Sequence, residues 1–260
     1  MFFSRLVTRW KGLALTLLAA IATVWLGVTG QLGLYINPRY YVFTLIMAGI
    51  AFVLTIGALL VIPRPGEDDD HDHDHEHVGA GRRRPLLAFG GSLTALVIVA
   101  AAAVALLVVP PSSLTSAAVE QRSLNGSSNA LANAGPSPGT SDDTSAYSVK
   151  DWAALIRQGA SADDLSGRTA TLTGFVTPDA DDPDNVFYVA RFVVTCCAVD
   201  AQPVGVPVYS PGWSSSYATD SWVTVTGAFE ANPSVLSAAT TVVRPDSLTA
   251  VDQPAEPYVY

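Results

Sequence analysis

The chain has 260 residues, of which 49% are hydrophobic and only 14% are charged. A soluble domain carries about 25% charged residues, so this composition excludes a chain solvated by water alone and indicates that part of it lies in lipid. The net charge is −9, and the residues after position 112 carry 16 acidic against six basic side chains. No nucleic-acid partner is expected for that acidic half, because phosphates would repel it.

Three apolar stretches without charged residues predict transmembrane helices. They cover about residues 12–36, 40–62 and 86–109. Each supplies the roughly 20 residues that a helix needs to cross a hydrocarbon core about 30 Å thick. A cleaved signal peptide is the alternative for the first stretch, but its length and the second stretch that follows directly disfavour this alternative.

The distribution of basic residues predicts the orientation of these spans. Basic side chains cluster before the first and third stretches, whereas only Arg39 lies between the first two. Because lysine and arginine stay on the cytoplasmic side, the N-terminus and the loop 64–84 are expected in the cytoplasm. Three crossings then place everything after about residue 110 outside the cytoplasm. The chain is therefore predicted to be a multi-pass membrane protein with an extracytoplasmic C-terminal domain.

The loop 64–84 contains the sequence DDDHDHDHEH, in which histidines alternate with carboxylates. Imidazole and carboxylate groups both bind zinc-like divalent ions, so this cytoplasmic loop is a predicted metal-binding segment. Its predicted ligands are His71, His73, His75 and His77. The alternative is a solvated charged loop whose metal affinity is incidental, and such a tract does not specify which metal binds.

Residues 111–147 are rich in Ser, Ala, Asn, Gly and Pro, and this composition predicts a flexible linker. Order is expected to resume near Ser148, because VKDWAALIRQG places apolar side chains at helical spacing. Ser148 and Asp151 resemble an N-terminal cap, and Gly159 is expected to end the helix. A C-terminal domain, residues 148–260, is therefore predicted to begin with a short helix.

Beyond this helix the apolar side chains alternate, which predicts β-strands. The predicted strands are 169–176, 185–195, 204–210, 222–229 and 241–243. About five short strands in roughly 100 residues favour a small barrel of the oligonucleotide/oligosaccharide-binding (OB) type, with a sandwich as the alternative. The fold class predicted for the whole chain is α+β: three transmembrane helices followed by a small, mainly β, OB-like domain.

Two adjacent cysteines, Cys196 and Cys197, are the only thiols in the chain, and they follow an apolar strand. Neighbouring side chains on a strand point to opposite faces, so both thiols can bind one soft ion only where the strand ends or bulges. Asp200 is a candidate third ligand, and zinc is one ion that such donors bind. The alternatives are a strained disulfide between the neighbours and two inert buried thiols. Since this domain has no histidine, a closed four-ligand site would need a partner chain.

Several classes of activity find no support in the sequence. It contains no nucleophile elbow, no phosphate-cradling glycine loop and no zinc-protease motif, and the C-terminal domain offers no histidine as a base. The chain is therefore expected not to be an enzyme. The apolar stretches carry no charge, whereas a transporter usually needs ionisable groups at membrane depth. The chain is thus predicted to be an anchor or accessory subunit rather than a complete transport path.

Three segments of the chain resemble the YcgQ-like family of bacterial permease subunits. They are FYVARFVVTCCAVDAQPVGVPV (187–208), DSWVTVTGAF (220–229) and PAEPYVY (254–260). The resemblance implies a bacterial cell-membrane protein that partners a separate multi-spanning permease, and it places Cys196, Cys197 and Asp200 on the signature block of the family.

The function expected from this resemblance and from the metal-binding residue types is that of a membrane-anchored accessory subunit of a permease, involved in metal or metalloid handling. Two alternatives stay open. One is an extracytoplasmic thiol-redox or metal-binding protein. The other is a structural module that interacts with the cell envelope.

Overall fold

The structure is a computed structural model that describes residues 2–61, 97–105, 112–131, 144 and 146–260. The chain divides into two compact units: Met1–Leu32 with Arg39–Pro111, and Gly33–Pro38 with Ser112–Tyr260. The second unit therefore includes a short segment from much earlier in the chain, which we call the early segment, Gly33–Pro38.

The first unit is helical. Helix α1 covers Phe2–Val28, α2 covers Tyr41–Val61, and residues 97–105 are helical and are called α3. Much of the apolar surface of α2 is exposed within this unit; Leu60, for example, is 81% exposed. A helix with this much apolar surface needs lipid or an apolar partner around it.

The described residues show one helix that is long and apolar enough to cross a membrane, Pro38–Leu60, with a mean hydropathy of 2.4. The apolar part of α1, Gly12–Val28, is shorter. The second of the three predicted spans is matched by the long helix. Most of the third predicted span, 86–109, lies outside the described residues, so three transmembrane helices are not shown.

The second unit is built on a six-stranded sheet. The strands are β1 (Thr169–Pro178), β2 (Val186–Val193), β3 (Gln202–Tyr209), β4 (Trp222–Ala231), β5 (Thr241–Ala250) and β6 (Tyr258–Val259). Their order is β1-β4-β5-β3-β2-β6, and β1 also pairs with β2, so five strands form a ring with β6 beside β2. The pairs are antiparallel except β3 with β5 and β2 with β6. The predicted α+β class with a β-rich C-terminal part is confirmed.

Two glycines allow the strands to bend as the ring closes. A side chain at Gly174 would collide with the backbone carbonyl of Ala190, and one at Gly227 would collide with that of Arg244. Gly174 lies next to the point where β1 changes partner from β4 to β2, and the register of β4 with β5 shifts between Thr226 and Gly227. Both sites therefore need a residue without a β-carbon, as glycines within a strand pattern predict.

Helix α6 (Val149–Arg157) packs on the sheet and begins at a capping box. The Ser148 N–H donates to Asp151 Oδ2 at 2.8 Å, and the Asp151 N–H donates to Ser148 Oγ at 3.4 Å. Trp152 is fully buried, with its ring centroid 4.8 Å from that of Phe229. The predicted helix and its cap are confirmed, and Gly159 follows its end at a φ of +94°.

The prediction of a flexible linker over 111–147 is wrong for residues 112–131. This stretch contains α4 (Ser116–Glu120) and α5 (Ser128–Leu131) and packs on the sheet. Asn125, at a φ of 56°, exchanges two hydrogen bonds of 2.8 and 2.9 Å with the backbone of Gly205. Composition predicted a linker because the apolar residues are sparse, but a few of them, together with this amide pairing, suffice to dock the chain. Residues 132–143 lie outside the described residues.

Candidate metal centre at the thiol turn

Both cysteines lie in the connection between β2 and β3, residues Val194–Ala201, which we call the thiol turn. The backbone N–H of Val194 donates to the carbonyl of Val259 at 3.0 Å, and the ladder ends there. A single 3-10 turn, Ala198–Asp200, then leads into β3. The two thiols are therefore not held on opposite faces of a continuous strand, which is the condition for both to reach one ion.

The carboxylate of Asp200 organises this turn. Its Oδ1 accepts the N–H of Thr195 at 3.1 Å, and its Oδ2 accepts those of Cys196 at 2.7 Å and Cys197 at 3.3 Å. In return, the N–H of Asp200 donates to the backbone carbonyl of Cys197 at 2.9 Å. A carboxylate has about four acceptor positions, so three backbone bonds leave room for about one further bond, such as one to a metal ion.

The donor atoms of three residues converge at the turn. The Sγ atoms of Cys196 and Cys197 and a carboxylate oxygen of Asp200 all lie within 4.8 Å of one another. Neither thiol forms a disulfide, and Cys196 is exposed while Cys197 is half-buried, so the alternative of two inert buried thiols does not describe them. Donors on one zinc-like ion with bonds of about 2.3 Å lie at most about 4.6 Å apart. The three donors therefore lie close to the separations that binding to one ion would require.

The early segment docks on the thiol turn as a short strand. The N–H of Asn37 donates to the carbonyl of Cys196 at 3.0 Å, and the N–H of Ala198 donates to the carbonyl of Tyr35 at 2.8 Å. Between these two bonds, Ile36 and Cys197 form an antiparallel β-bridge. One side of the thiol turn is thus paired with a short strand from a distant part of the chain.

Other contacts fix the remaining side of the turn. The guanidinium of Arg122 donates to the carbonyl of Ala201 and, at 3.5 Å, to that of Val199. The side chain of Val199 itself is 85% exposed and is no part of the core. Arg122 therefore holds the backbone on both sides of Asp200.

A second acidic loop, residues 179–185, offers a contrast, and we call it the aspartate loop. Asp179 and Asp182 are buried there, at 5% and 4% exposure. Asp179 Oδ1 accepts the N–H groups of Asp181 and Asp182, both at 2.9 Å, and Oδ2 accepts the hydroxyl of Ser237 at 3.2 Å. The carboxylate of Asp182 accepts Asn185 Nδ2 at 2.8 and 3.1 Å and the hydroxyl of Ser234.

These contacts set the electrostatics of the aspartate loop. The hydrogen bond from Ser234 and the weaker effect of Asn185 hold the pKa of Asp182 below its ordinary value, although burial opposes this. Burial, and then the neighbouring Asp179 carboxylate, raise the pKa of Tyr188. The buried carboxylates are thus occupied by groups of the loops around them, and we assign no metal to them.

The structure brings together only some of the predicted metal ligands. Cys196, Cys197 and Asp200 converge at the thiol turn, whereas the four predicted histidine ligands lie outside the described residues. Sequence reasoning missed Asn37 and Arg122, which support the turn from far away in the chain. One signal for Asn37 was its position before Pro38, which favours an extended backbone.

Comparison with known protein families covers most of the chain. Residues 11–125 match the DUF1980 N-terminal domain, and residues 151–260 match the DUF1980 C-terminal domain. No curated protein and no solved structure matches the chain. Neither family match describes a permease role, so the resemblance to YcgQ-like permease subunits stays a prediction. With both of its domains present in order, the chain belongs to the DUF1980 family.

Proposed function

We propose that this protein is a membrane-anchored accessory subunit of a multi-spanning permease, and that its thiol turn binds a thiophilic metal or metalloid ion. The observation that carries the proposal is the convergence of two thiols, neither in a disulfide, and one carboxylate within 4.8 Å. Thiolates favour soft ions. A structural zinc site closes with four protein ligands, so three donors on a partly exposed turn suit an ion that arrives and leaves.

The fold is compatible with ligand binding but does not assign the ligand. The ring order β1-β2-β3-β5-β4, with β3 and β5 parallel, supports the predicted OB-type barrel. Barrels of this kind serve many unrelated functions, so the proposal depends on the donors of the thiol turn and not on the barrel.

The proposed topology rests on the early segment. It connects α1 to α2, yet it belongs to the same compact unit as the sheet. With α1 and α2 crossing the membrane, the sheet must lie on the side of that connection. The third span at 86–109 is proposed from its sequence alone, as an apolar stretch long enough to cross the membrane. The basic residues assign the side of the connection as extracytoplasmic.

In this topology the histidine tract and the thiol turn lie on opposite sides of the membrane. The tract enters the proposal from its sequence alone, as a second, cytoplasmic segment that captures divalent ions. Imidazole and carboxylate suit zinc-like ions, whereas the thiol turn favours softer ones. Any binding measurement on the full chain must therefore separate the two segments.

Cadmium titration of the full-length protein in detergent tests the metal-binding part of the proposal. The background is a variant in which His71, His73, His75 and His77 are replaced by asparagine, and the readout is ultraviolet sulfur-to-cadmium charge-transfer absorption. We expect one bound ion per chain. Cys196→Ser and Cys197→Ser should each weaken binding by at least about 100-fold, because loss of even an outer-shell partner costs up to that much.

A matched control for these substitutions lies in the same turn. Val199→Ser changes an exposed side chain that donates nothing to the ion, so cadmium affinity should stay unchanged. Absence of the absorption band in the parent protein, or unchanged binding after loss of both thiols, would refute ion binding at the turn. The permease part is tested by co-purification from native membranes, where recovery of the protein without any multi-spanning partner contradicts it.

A further inference from the structure

The early segment holds the peptide groups on both sides of Cys197. The Cys196 carbonyl belongs to the peptide group before Cys197, and it accepts the N–H of Asn37. The Ala198 N–H belongs to the peptide group after Cys197, and it donates to the carbonyl of Tyr35. The backbone that directs the second thiol is therefore fixed by residues from a distant part of the sequence.

Asn37 adds a side-chain contact to this pairing. It is 5% exposed, and its Nδ2 donates to the carbonyl of Val194 at 3.0 Å across a separation of 157 residues. Pro38 restricts Asn37 to an extended backbone, which is the conformation that pairing with the turn requires. The early segment thus contacts Val194, Cys196 and Ala198, which are spaced two residues apart as on one edge of a strand.

We infer that Asn37 is a positioning residue of the ion site, and that docking of the early segment and ion binding are coupled. This inference rests on the proposed ion binding. In the docked turn, the Cys197 backbone is extended, with φ −153° and ψ 166°, and the three donor atoms converge within 4.8 Å. Docking selects the backbone in which both thiols and Asp200 converge, so an undocked turn binds the ion more weakly.

The coupling is reciprocal by thermodynamic necessity. If docking raises ion affinity by some factor, the bound ion raises the docking equilibrium by the same factor. The early segment is also the connection from α1 to α2. Ion binding at the thiol turn therefore favours the docked state of the connection between these two helices. It does so without any contact between the ion and the helices themselves.

Cadmium affinity of the full chain, again without the histidine tract, tests the role of Asn37. We expect Asn37→Ala to weaken binding by about 10-fold, as loss of an outer-shell partner does. Asn37→Asp keeps the shape but replaces the donor by a carboxylate facing the Val194 carbonyl, so its loss should be at least as large. Tyr35→Phe is the matched control, because it removes a hydroxyl from the same segment and leaves the backbone bonds in place.

Hydrogen exchange gives a readout that a merely structural role would not move, and it needs no Asn37 variant. Cadmium should slow exchange of the Asn37 and Ala198 amides in the parent protein, because both amides bond across the docked segment and turn. It should have no such effect in the double serine variant of the two cysteines.

Two contrary outcomes can be told apart. If the parent protein binds cadmium but neither Asn37 substitution changes affinity and cadmium leaves exchange unchanged, the coupling is refuted and the proposed function stands. If the parent protein binds no cadmium at all, both the proposed function and the coupling fail.

Discussion

The thiol turn and the aspartate loop are both organised by aspartate carboxylates, but the two connections differ in the other side chains that surround these carboxylates. In the aspartate loop, Asp179 and Asp182 are buried and accept hydrogen bonds from their own loop and from two serines. In the thiol turn, Asp200 also accepts backbone N–H groups, but two sulfur atoms lie within 4.8 Å of its carboxylate and one of the thiols is exposed.

This difference shows that the number of acidic residues is a poor guide to a metal site. The sequence PDADDPDN has four aspartates and would attract attention as a site for a hard cation. Its two buried carboxylates are taken up by hydroxyl, amide and backbone donors. The thiol turn has a single aspartate, but two sulfur donors lie within 4.8 Å of its carboxylate.

Among the substitutions that test this difference between the two connections, Asp179→Ala is expected to cause the largest loss of stability. The substitution leaves two loop N–H groups and the Ser237 hydroxyl without their acceptor, which should cost about 2–3 kcal/mol in the free energy of unfolding. Urea titration followed by tryptophan fluorescence measures this. Cadmium affinity should not change. The matched control is Asp181→Ala, an exposed neighbour expected to cost less than about 0.5 kcal/mol. A drop in cadmium affinity with Asp179→Ala would contradict the assignment of the ion to the thiol turn and not to the aspartate loop.

A smaller loss of stability is expected at the thiol turn, but with an effect on binding. Asp200→Ala removes the acceptor for three backbone N–H groups, which should cost about 1–2 kcal/mol and weaken cadmium binding by about 10- to 100-fold. Asp200→Asn retains one oxygen and should lose less of both. Unfolding curves and cadmium titrations of the same samples give the two values. Full cadmium affinity in Asp200→Ala would show that the carboxylate neither positions nor binds the ion.

The smallest expected effect is a pH dependence confined to the aspartate loop. Because the pKa of Asp182 is lowered in the folded protein, its contribution to stability is complete above the unfolded pKa and is lost as pH falls through the folded pKa. The unfolded value is about 3.9, so the difference in Tm between the parent and Asp182→Asn should be constant above about pH 5 and shrink below it. Thermal unfolding across this range checks the sign. A difference that grows as pH falls would contradict it.

Local patterns predicted much of the C-terminal fold. The helix after Ser148 and the first four strands were predicted because their signals, a capping box and alternation of apolar residues, act over a few neighbouring residues. Strand β5 was predicted only over 241–243, because polar residues and Pro245 interrupt its alternation, and β6 is too short to give a pattern.

The support of the candidate site was not predictable in the same way. Cys196, Cys197 and Asp200 are close in sequence, so spacing alone indicated that they could meet. The contact of Asn37 with Val194 spans 157 residues, and no local pattern encodes such a pair. The docking of residues 112–131 was missed for the same reason. The composition of a segment indicates how well water solvates it, but it does not reveal which distant residues the segment packs on.

The closed ring of strands also bears on how copies of this protein behave when they are crowded together. A sheet that closes on itself has no long open edge, and within the described residues the additional strand, β6, spans only Tyr258–Val259. Edge-to-edge pairing is the usual route by which β-rich domains exchange strands and aggregate. The domain can therefore be present at high density beside its neighbours with little risk of fusing with them.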